Sequence, residues 1–426
     1  MSTLEKVIGP LSGVWKSIRS ILLALFTRLI LLASWLNLLL PFIPVSWALH
    51  FTFAGDWEKD TVIFVCSFLA IIPLAKLLDF VTDELSLRVG QTLAGLLNVT
   101  FGNAVELIFS IISLLSCELQ IVQSSLVSII LINLLLILGM CFFVGGIKFQ
   151  KQGFGQMATQ LNSSLLAISV IAVLSPAAFH FSVVGDTEAD EASDILNVSH
   201  GTSIILLFIY ISYLVFQLFS HASLYADEGE DSVKYTPYGR SVVGEDSDLE
   251  SGSAHSGEEV EQPQLGLWVT VGLLVIVTLV AFTTQWLVDS INGITKNDNI
   301  NNQFVGVILL PIICRTPDGV TIVTTSVKDK LNISLGLTQI ALFMIPFIVT
   351  LAWILDKPLT LLFDPYESIV LFFTAIVLTV NYVVQSGKSN WLQGMILMCL
   401  YVILAVTFWS YPGIDPSGGL LMQCTT

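Results

Sequence analysis

Leu96-Leu97-Asn98-Val99-Thr100-Phe101-Gly102-Asn103-Ala104-Val105-Glu106-Leu107 places a carboxylate and an amide inside a segment otherwise apolar enough to cross a membrane. A carboxylate at that depth is costly, so it normally faces a partner, a water-filled cavity or an ion. Gly102-Asn103-x-x-Glu106 therefore reads as a cation site. Asn103 and Glu106 are three residues apart and share one helix face. Their oxygens suit a hard cation such as calcium. Gly102 permits close backbone approach and local loosening of the helix, which frees carbonyl oxygens as further ligands. The alternative is that Glu106 only satisfies helix–helix hydrogen bonds, but a neutral Gln would do so at lower cost.

Around this stretch the chain is 54% hydrophobic and 12% charged, with a mean hydropathy of +0.83. That composition defines an all-α polytopic membrane protein. Apolar runs long enough to cross a bilayer predict about eleven spans, at 22–48, 62–80, 89–115, 120–147, 161–181, 202–220, 266–288, 303–326, 332–354, 363–384 and 391–411. Lys6, Lys16, Arg19 and Arg28 precede or enter the first run, which reads as a retained span with a cytosolic basic flank rather than a signal peptide. Alternation from a cytosolic N-terminus (residues 1–21) places Lys148, Lys151, Lys328, Lys330 and Lys388 in the cytosol and the acidic 186–194 loop in the lumen, as the positive-inside rule expects. The 412–426 tail is then lumenal or extracellular.

The six cysteines include no Cys-x-x-Cys pair, and their scatter indicates neither a zinc site nor a disulfide framework. Asn197-Val198-Ser199 is a sequon in the expected lumenal loop and reads as a glycosylation acceptor. No P-loop and no basic nucleic-acid patch occurs in the sequence. The partners expected are therefore calcium ions, protons and the lipid membrane, with no nucleic acid and no cofactor; a homo-oligomer is left open.

Residues 221–265 break the apolar pattern with eleven acidic against two basic side chains, −9 of the chain's net −16. Such Ser/Gly/Asp/Glu composition suits a solvated connector on the cytosolic side, or a strip that gathers cations by electrostatic focusing. It separates a first half, 62–220, from a second, 266–411. Two hydrophobic halves of five spans each, beyond a peripheral first span at 22–48, predict a repeat. An odd span number per repeat forces inverted topology. Cys314 lies 212 positions after Gly102 and Asp318 lies 212 after Glu106, which makes Asp318 the natural second carboxylate. Asn133, in the following span, reads as either a ligand or a packing amide. Two carboxylates facing each other across the repeat axis can hold one divalent ion. Once the ion leaves, mutual repulsion in a low dielectric favours protonation, so exchange of a divalent cation for protons follows from a single shared site.

At these residues the sequence resembles the calcium/proton exchangers, the vacuolar cation/proton antiporters of fungi and plants. The likeness runs through Ala70-Ile71-Ile72-Pro73-Leu74-Ala75, Gly95 to Ile108, Ile121-Val122-Gln123 and Ser389-Asn390-Trp391-Leu392. It implies a sodium/calcium exchanger-like fold of one peripheral helix plus two inverted five-helix repeats. It also implies a vacuolar membrane location and calcium uptake driven by the proton gradient. The resemblance carries ion ligands onto Gly102, Asn103 and Glu106, with Asp318 and Gln339 as the second-repeat counterparts.

The second repeat departs from the family pattern. Cys314-Arg315-Thr316-Pro317-Asp318-Gly319 stands where the family reads Gly-Asn-Ala-Ala-Glu-His. Arg315 would sit beside the ion and pair with Asp318 or Glu106 in competition with it. About five residues, or about 7.5 Å of helix, are missing between Leu337 and Gln339, where a Gly-Ser-Ser run belongs. The expected activity is calcium/proton antiport into the vacuole; the alternative is a transport-inactive or regulatory exchanger-like protein.

Overall fold

The computed structural model describes residues 38–53, 60–86, 88, 102–148, 152–153, 156–182, 188–220, 279–297, 301–316, 319, 340–384, 388–414 and 424. Among them are eleven helices. α1 is Phe42–Phe53, α2 is Asp60–Ser86, α3 is Ala104–Leu115 and α4 is Leu119–Lys148. α5 is Gln156–Ser182, and α6 is Glu188–Val215 continued by a π-helix over Phe216–Ser220. α7 is Leu279–Asn297, α8 is Asn302–Thr316, α9 is Ile340–Ile354, α10 is Pro365–Val384 and α11 is Trp391–Ser410.

The described helices overlap the expected apolar runs, although α1 reaches Phe53 and α7 reaches Asn297, beyond the expected ends at 48 and 288; two further differences are instructive. The 186–194 segment is not a loop throughout, because α6 begins at Glu188 and carries the acidic residues on its first turns. Charge kept them out of an apolar span, but Asp and Glu are well tolerated at a helix N-terminus, where the macrodipole favours them. The Asn197 sequon is therefore helical rather than looped. Ser199 is fully buried and its Oγ accepts the Leu361 N–H at 3.0 Å, so the acceptor site is built into the fold. Residues 22–37 of the expected first span and the whole 221–265 connector lie outside the described residues.

The repeat is legible in how helices pack. α7 packs along α2 and α10 along α5, each pair joining corresponding members of the two halves. The other contacts come in matched pairs. α4 packs on α11 as α9 packs on α6, and α4 meets α8 as α9 meets α3. The packing contacts of the five helices from 60–220 are thus matched by those of the five from 279–410. α1 adds to the outside, against α2 and α7. Corresponding helices α4 and α9 each carry a π-helical segment, Ile132–Ile137 and Ile340–Met344.

Close approach at one junction depends on glycine. A Cβ on Gly394 of α11 would lie 2.3 Å from the Phe143 nitrogen and 2.5 Å from the Gly139 oxygen of α4. Small residues of this kind let membrane helices approach backbone to backbone, where van der Waals packing supplies the association. Apolar side chains fill two cores. The larger joins α4, α5, α6, α9, α10 and α11 around Phe142, Ile345 and Phe363; the smaller joins α2, α3, α7 and α8 around Phe64, Phe109 and Ile291.

Two connections fix which loops share a side. Gln152–Gly153 pairs antiparallel with Lys388–Ser389, so the α4–α5 and α10–α11 connections lie together. A disulfide joins Cys117, between α3 and α4, to Cys424 beyond α11, with Cα atoms 6.3 Å apart. This corrects the reading that the cysteines form no disulfide. Spacing along the chain could not show it, because 307 residues separate the pair and only the folded repeat brings them together.

Candidate functional site

The site begins at a helix start within the bundle. Gly102 and Asn103 form the turn that opens α3, and Glu106 occupies its first helical turn. Asn103 is the N-cap residue, yet its side chain caps no backbone N–H. In most helices an N-cap amide would accept such a bond. Here its Oδ1 is taken by Arg315, whose Nη2 donates to it. The Arg315 Nε lies 2.7 Å from Glu106 Oε1. All three side chains are withdrawn from solvent, at 4%, 2% and 5% exposure for Asn103, Glu106 and Arg315. Those values decide the character of the contact: this is a buried ion pair and not a surface one.

Arg315 comes from the last turns of α8, and it follows Asn103 by 212 positions, the repeat offset read from the sequence. The two residues that correspond across the repeat therefore touch each other at the axis. The α3 N-terminus contributes partial positive charge beside Glu106, and Arg315 adds a full one. The guanidinium cannot deprotonate under ordinary conditions, and its planar fork of donors matches the carboxylate and amide oxygens together.

Of the expected ligands, Asn103 and Glu106 are brought together with Arg315, and Gly102 sits at the opening turn. Asn133 falls in the π-helical part of α4, where its Nδ2 donates to the Ile129 carbonyl of its own helix at 2.9 Å. Asp318 and Gln339 lie outside the described residues. No cluster of three or more His, Cys, Asp or Glu side chains occurs among the described residues.

A second polar cluster lies at the other end of α8, and the one member the sequence points to, Ser124, reads there only as a helix-packing residue. Ser124 Oγ on α4 donates to Gln303 Oε1 on α8 at 2.9 Å, and Ser128 Oγ donates to the Gly306 carbonyl at 3.1 Å. Gly306 admits this approach, since a Cβ there would meet Ser124 Cβ at 3.0 Å. Gln123 Nε2 donates to the Thr360 carbonyl at 2.8 Å. Asp364 and Glu367 start α10, both buried. The signal was available, since Asp364 and Glu367 are acids at the edge of the apolar run 363–384.

Ten helices in two matched sets of five, an eleventh packed outside them and a buried carboxylate between the sets have the architecture of a helical membrane exchanger. The sodium/calcium exchanger protein family matches residues 59–219 and 268–410, so the chain belongs to that family. It is 43% identical to a vacuolar calcium ion transporter of Cryptococcus neoformans var. grubii, over 96% of this chain and 78% of that one. It is 38% identical to a vacuolar calcium ion transporter of Schizosaccharomyces pombe, over 91% and 87% respectively. Among solved structures it is similar to native YfkE, a Ca2+/H+ antiporter protein, with a TM-score of 0.67 and 27% identity over 88% of this chain and all of that one.

Proposed function

We propose that the chain is a secondary transporter that exchanges calcium for protons across a vacuolar membrane, and that Arg315 holds its central site closed to the ion at rest. The observation that carries the reading is Glu106, buried on the first turn of α3 beside Asn103 at the repeat axis, with a positive charge already upon it. The vacuolar calcium transporters to which it is similar support calcium as the ion and the vacuole as the location. Proton exchange is supported by the likeness to YfkE and by the chemistry of a buried carboxylate, which is stable when neutralised by a cation or a proton and costly when bare.

Calcium reaching Glu106 must displace the guanidinium or share the carboxylate against its repulsion. Either lowers affinity relative to an amide at position 315. The same pair favours a second reading, in which the site never opens and the chain binds or regulates another protein. The Cys117–Cys424 disulfide supports placing the α3–α4 connection and the C-terminal segment in the lumen, since disulfides persist in oxidising compartments.

Proton-gradient-driven calcium uptake into vesicles containing this chain alone tests the proposal. Uptake that falls about tenfold or more in Glu106→Gln supports a working site. Absence of uptake in both the native chain and Arg315→Asn supports the regulatory reading instead.

A further inference from the structure

Glu367 is a carboxylate that neither the ion site nor the framework uses. It is wholly buried at the start of α10, and neither of its oxygens has a hydrogen-bond partner among the described residues. Asp364, three residues earlier, is the instructive contrast. Its Oδ1 accepts the Tyr366 N–H at 2.8 Å and the Tyr411 hydroxyl at 3.0 Å; its Oδ2 accepts the Ile414 N–H at 2.7 Å. Asp364 thus has three donors on its two oxygens, whereas Glu367 has the Ser124 hydroxyl alone nearby, and not in a formed hydrogen bond. A bare charge buried without donors is too costly to persist, so Glu367 is neutralised by something it binds.

The surroundings select the ligand. Calcium takes six to eight oxygens, and the groups facing Glu367 do not assemble such a set. Ser124 Oγ lies within reach, and Asp364 and Tyr411 act on it electrostatically. The Asp364 oxygens are already engaged as above. α8 brings Gln303 to this end and no titratable side chain; its Cys314 and Arg315 lie at the other. α4 likewise brings Ser124 here, with Cys141 and Lys148 toward its far end. α5, packed along α10, has His180 as its ionisable side chain. α11 touches α10 where the Tyr366 hydroxyl donates to Thr407, and its titratable groups are Cys399 and Tyr401. A proton requires no further ligands.

Ser124 makes the consequence specific. Its hydroxyl has one proton to donate, and that proton now goes to Gln303 Oε1 on α8. An ionised Glu367 would be the stronger acceptor. The hydroxyl would then turn toward α10 and release Gln303. We propose that Glu367 is a proton-binding site whose occupancy decides whether Ser124 fastens α4 to α8 or to α10. Because α8 carries Gln303 at one end and Arg315 at the other, with a π-helical segment at Val305–Leu309 between them, the switch acts on the helix that closes the ion site. Such a switch operates whether or not the chain transports calcium.

The test uses the full-length protein in lipid vesicles and two readouts. Infrared difference spectra at neutral pH should show a protonated carboxylic-acid band that Glu367→Gln removes. Hydrogen–deuterium exchange of the first turns of α8, corrected for the intrinsic effect of pH, should speed up several-fold as pH rises in the native chain and stay flat in Glu367→Gln. Should that variant fail to fold, Ser124→Ala keeps the carboxyl and removes the shared donor. Its α8 exchange should be fast and independent of pH. A native spectrum whose acid bands all survive Glu367→Gln overturns the proposal. So does α8 exchange in Ser124→Ala that keeps the native pH dependence.

Discussion

Arg315 and Glu106 set the behaviour of the centre because each makes the other tolerable. Burying either charge alone costs several kcal/mol, and breaking a buried pair by removing one partner typically costs about 3–5 kcal/mol. Glu106→Gln removes the carboxylate that faces the buried Arg315 guanidinium and should lower thermal stability as well as transport. Arg315→Asn removes the guanidinium from the Glu106 carboxylate, and a cation can then take the vacated place. The expected outcome is a melting temperature that calcium does not raise in the native chain but does raise in Arg315→Asn. The gain would be about 2.7 kcal/mol where calcium stands at about 100 times its dissociation constant. Thermal unfolding in detergent, with and without calcium and with magnesium as control, measures it. Half of this site was legible in the sequence. Asn103 and Glu106 stand out because amide and acid are expensive in an apolar run, and the repeat offset alone puts Arg315 opposite Asn103. What spacing does not give is the rotamer: the pairing of Arg315 with Glu106 depends on how α8 sits against α3.

Helices α4 and α11 show what an element-scale contact requires. Gly139 and Gly146 of α4 face Gly394 and Trp391 of α11, and a Cβ on Gly146 would lie 2.4 Å from the Trp391 nitrogen. No side chain can yield there, because the obstructing atoms are backbone. Gly394→Leu must separate the helices and should cost about 1–3 kcal/mol, read as a lower melting temperature of the purified protein. Gly201→Ala, on α6 with open space around it, should be neutral or slightly stabilising through helix propensity. Equal losses at both positions would contradict the packing described. At the end of α11 the chain turns through Gly413, at φ +79°, against the Gln303 side chain. Left-handed backbone favours glycine at this place. The helices themselves were legible because lipid demands long apolar runs. The close glycine contacts were not, since a glycine in an apolar run looks the same whether it faces a neighbour or the lipid. α6 began earlier than its hydropathy suggested for a related reason: hydropathy reports where lipid is, and a helix can extend beyond it.

For the whole molecule, the matched packing of 60–220 and 279–410 has a mechanical consequence. α3 and α8 meet at the axis, so a cation or a guanidinium between them joins the two halves directly. The Cys117–Cys424 disulfide ties the end of the chain to the connection just after α3, which restrains the same site helix from one side of the membrane. If that side is the lumen, as proposed, the two cysteines resist a membrane-impermeant thiol reagent in sealed vacuolar vesicles and become reactive only after the vesicles are opened and reduced. Reaction of Cys117 from the cytosolic face would reverse the orientation. The disulfide and the Asp364–Tyr411 bond join parts of the chain far apart in sequence. Only the closing of the repeat reveals such contacts, whereas composition and periodicity report local order.

Calcium uptake into vesicles under an imposed proton gradient, compared between the native chain and Arg315→Asn, tests the central claim most directly. If the guanidinium on Glu106 and Asn103 keeps the ion out, Arg315→Asn should raise the initial rate about tenfold or more, and adding Glu106→Gln to it should abolish the gain. An Arg315→Asn rate equal to or below that of an active native chain would contradict the account, because the arginine would then be helping the ion across rather than holding its place.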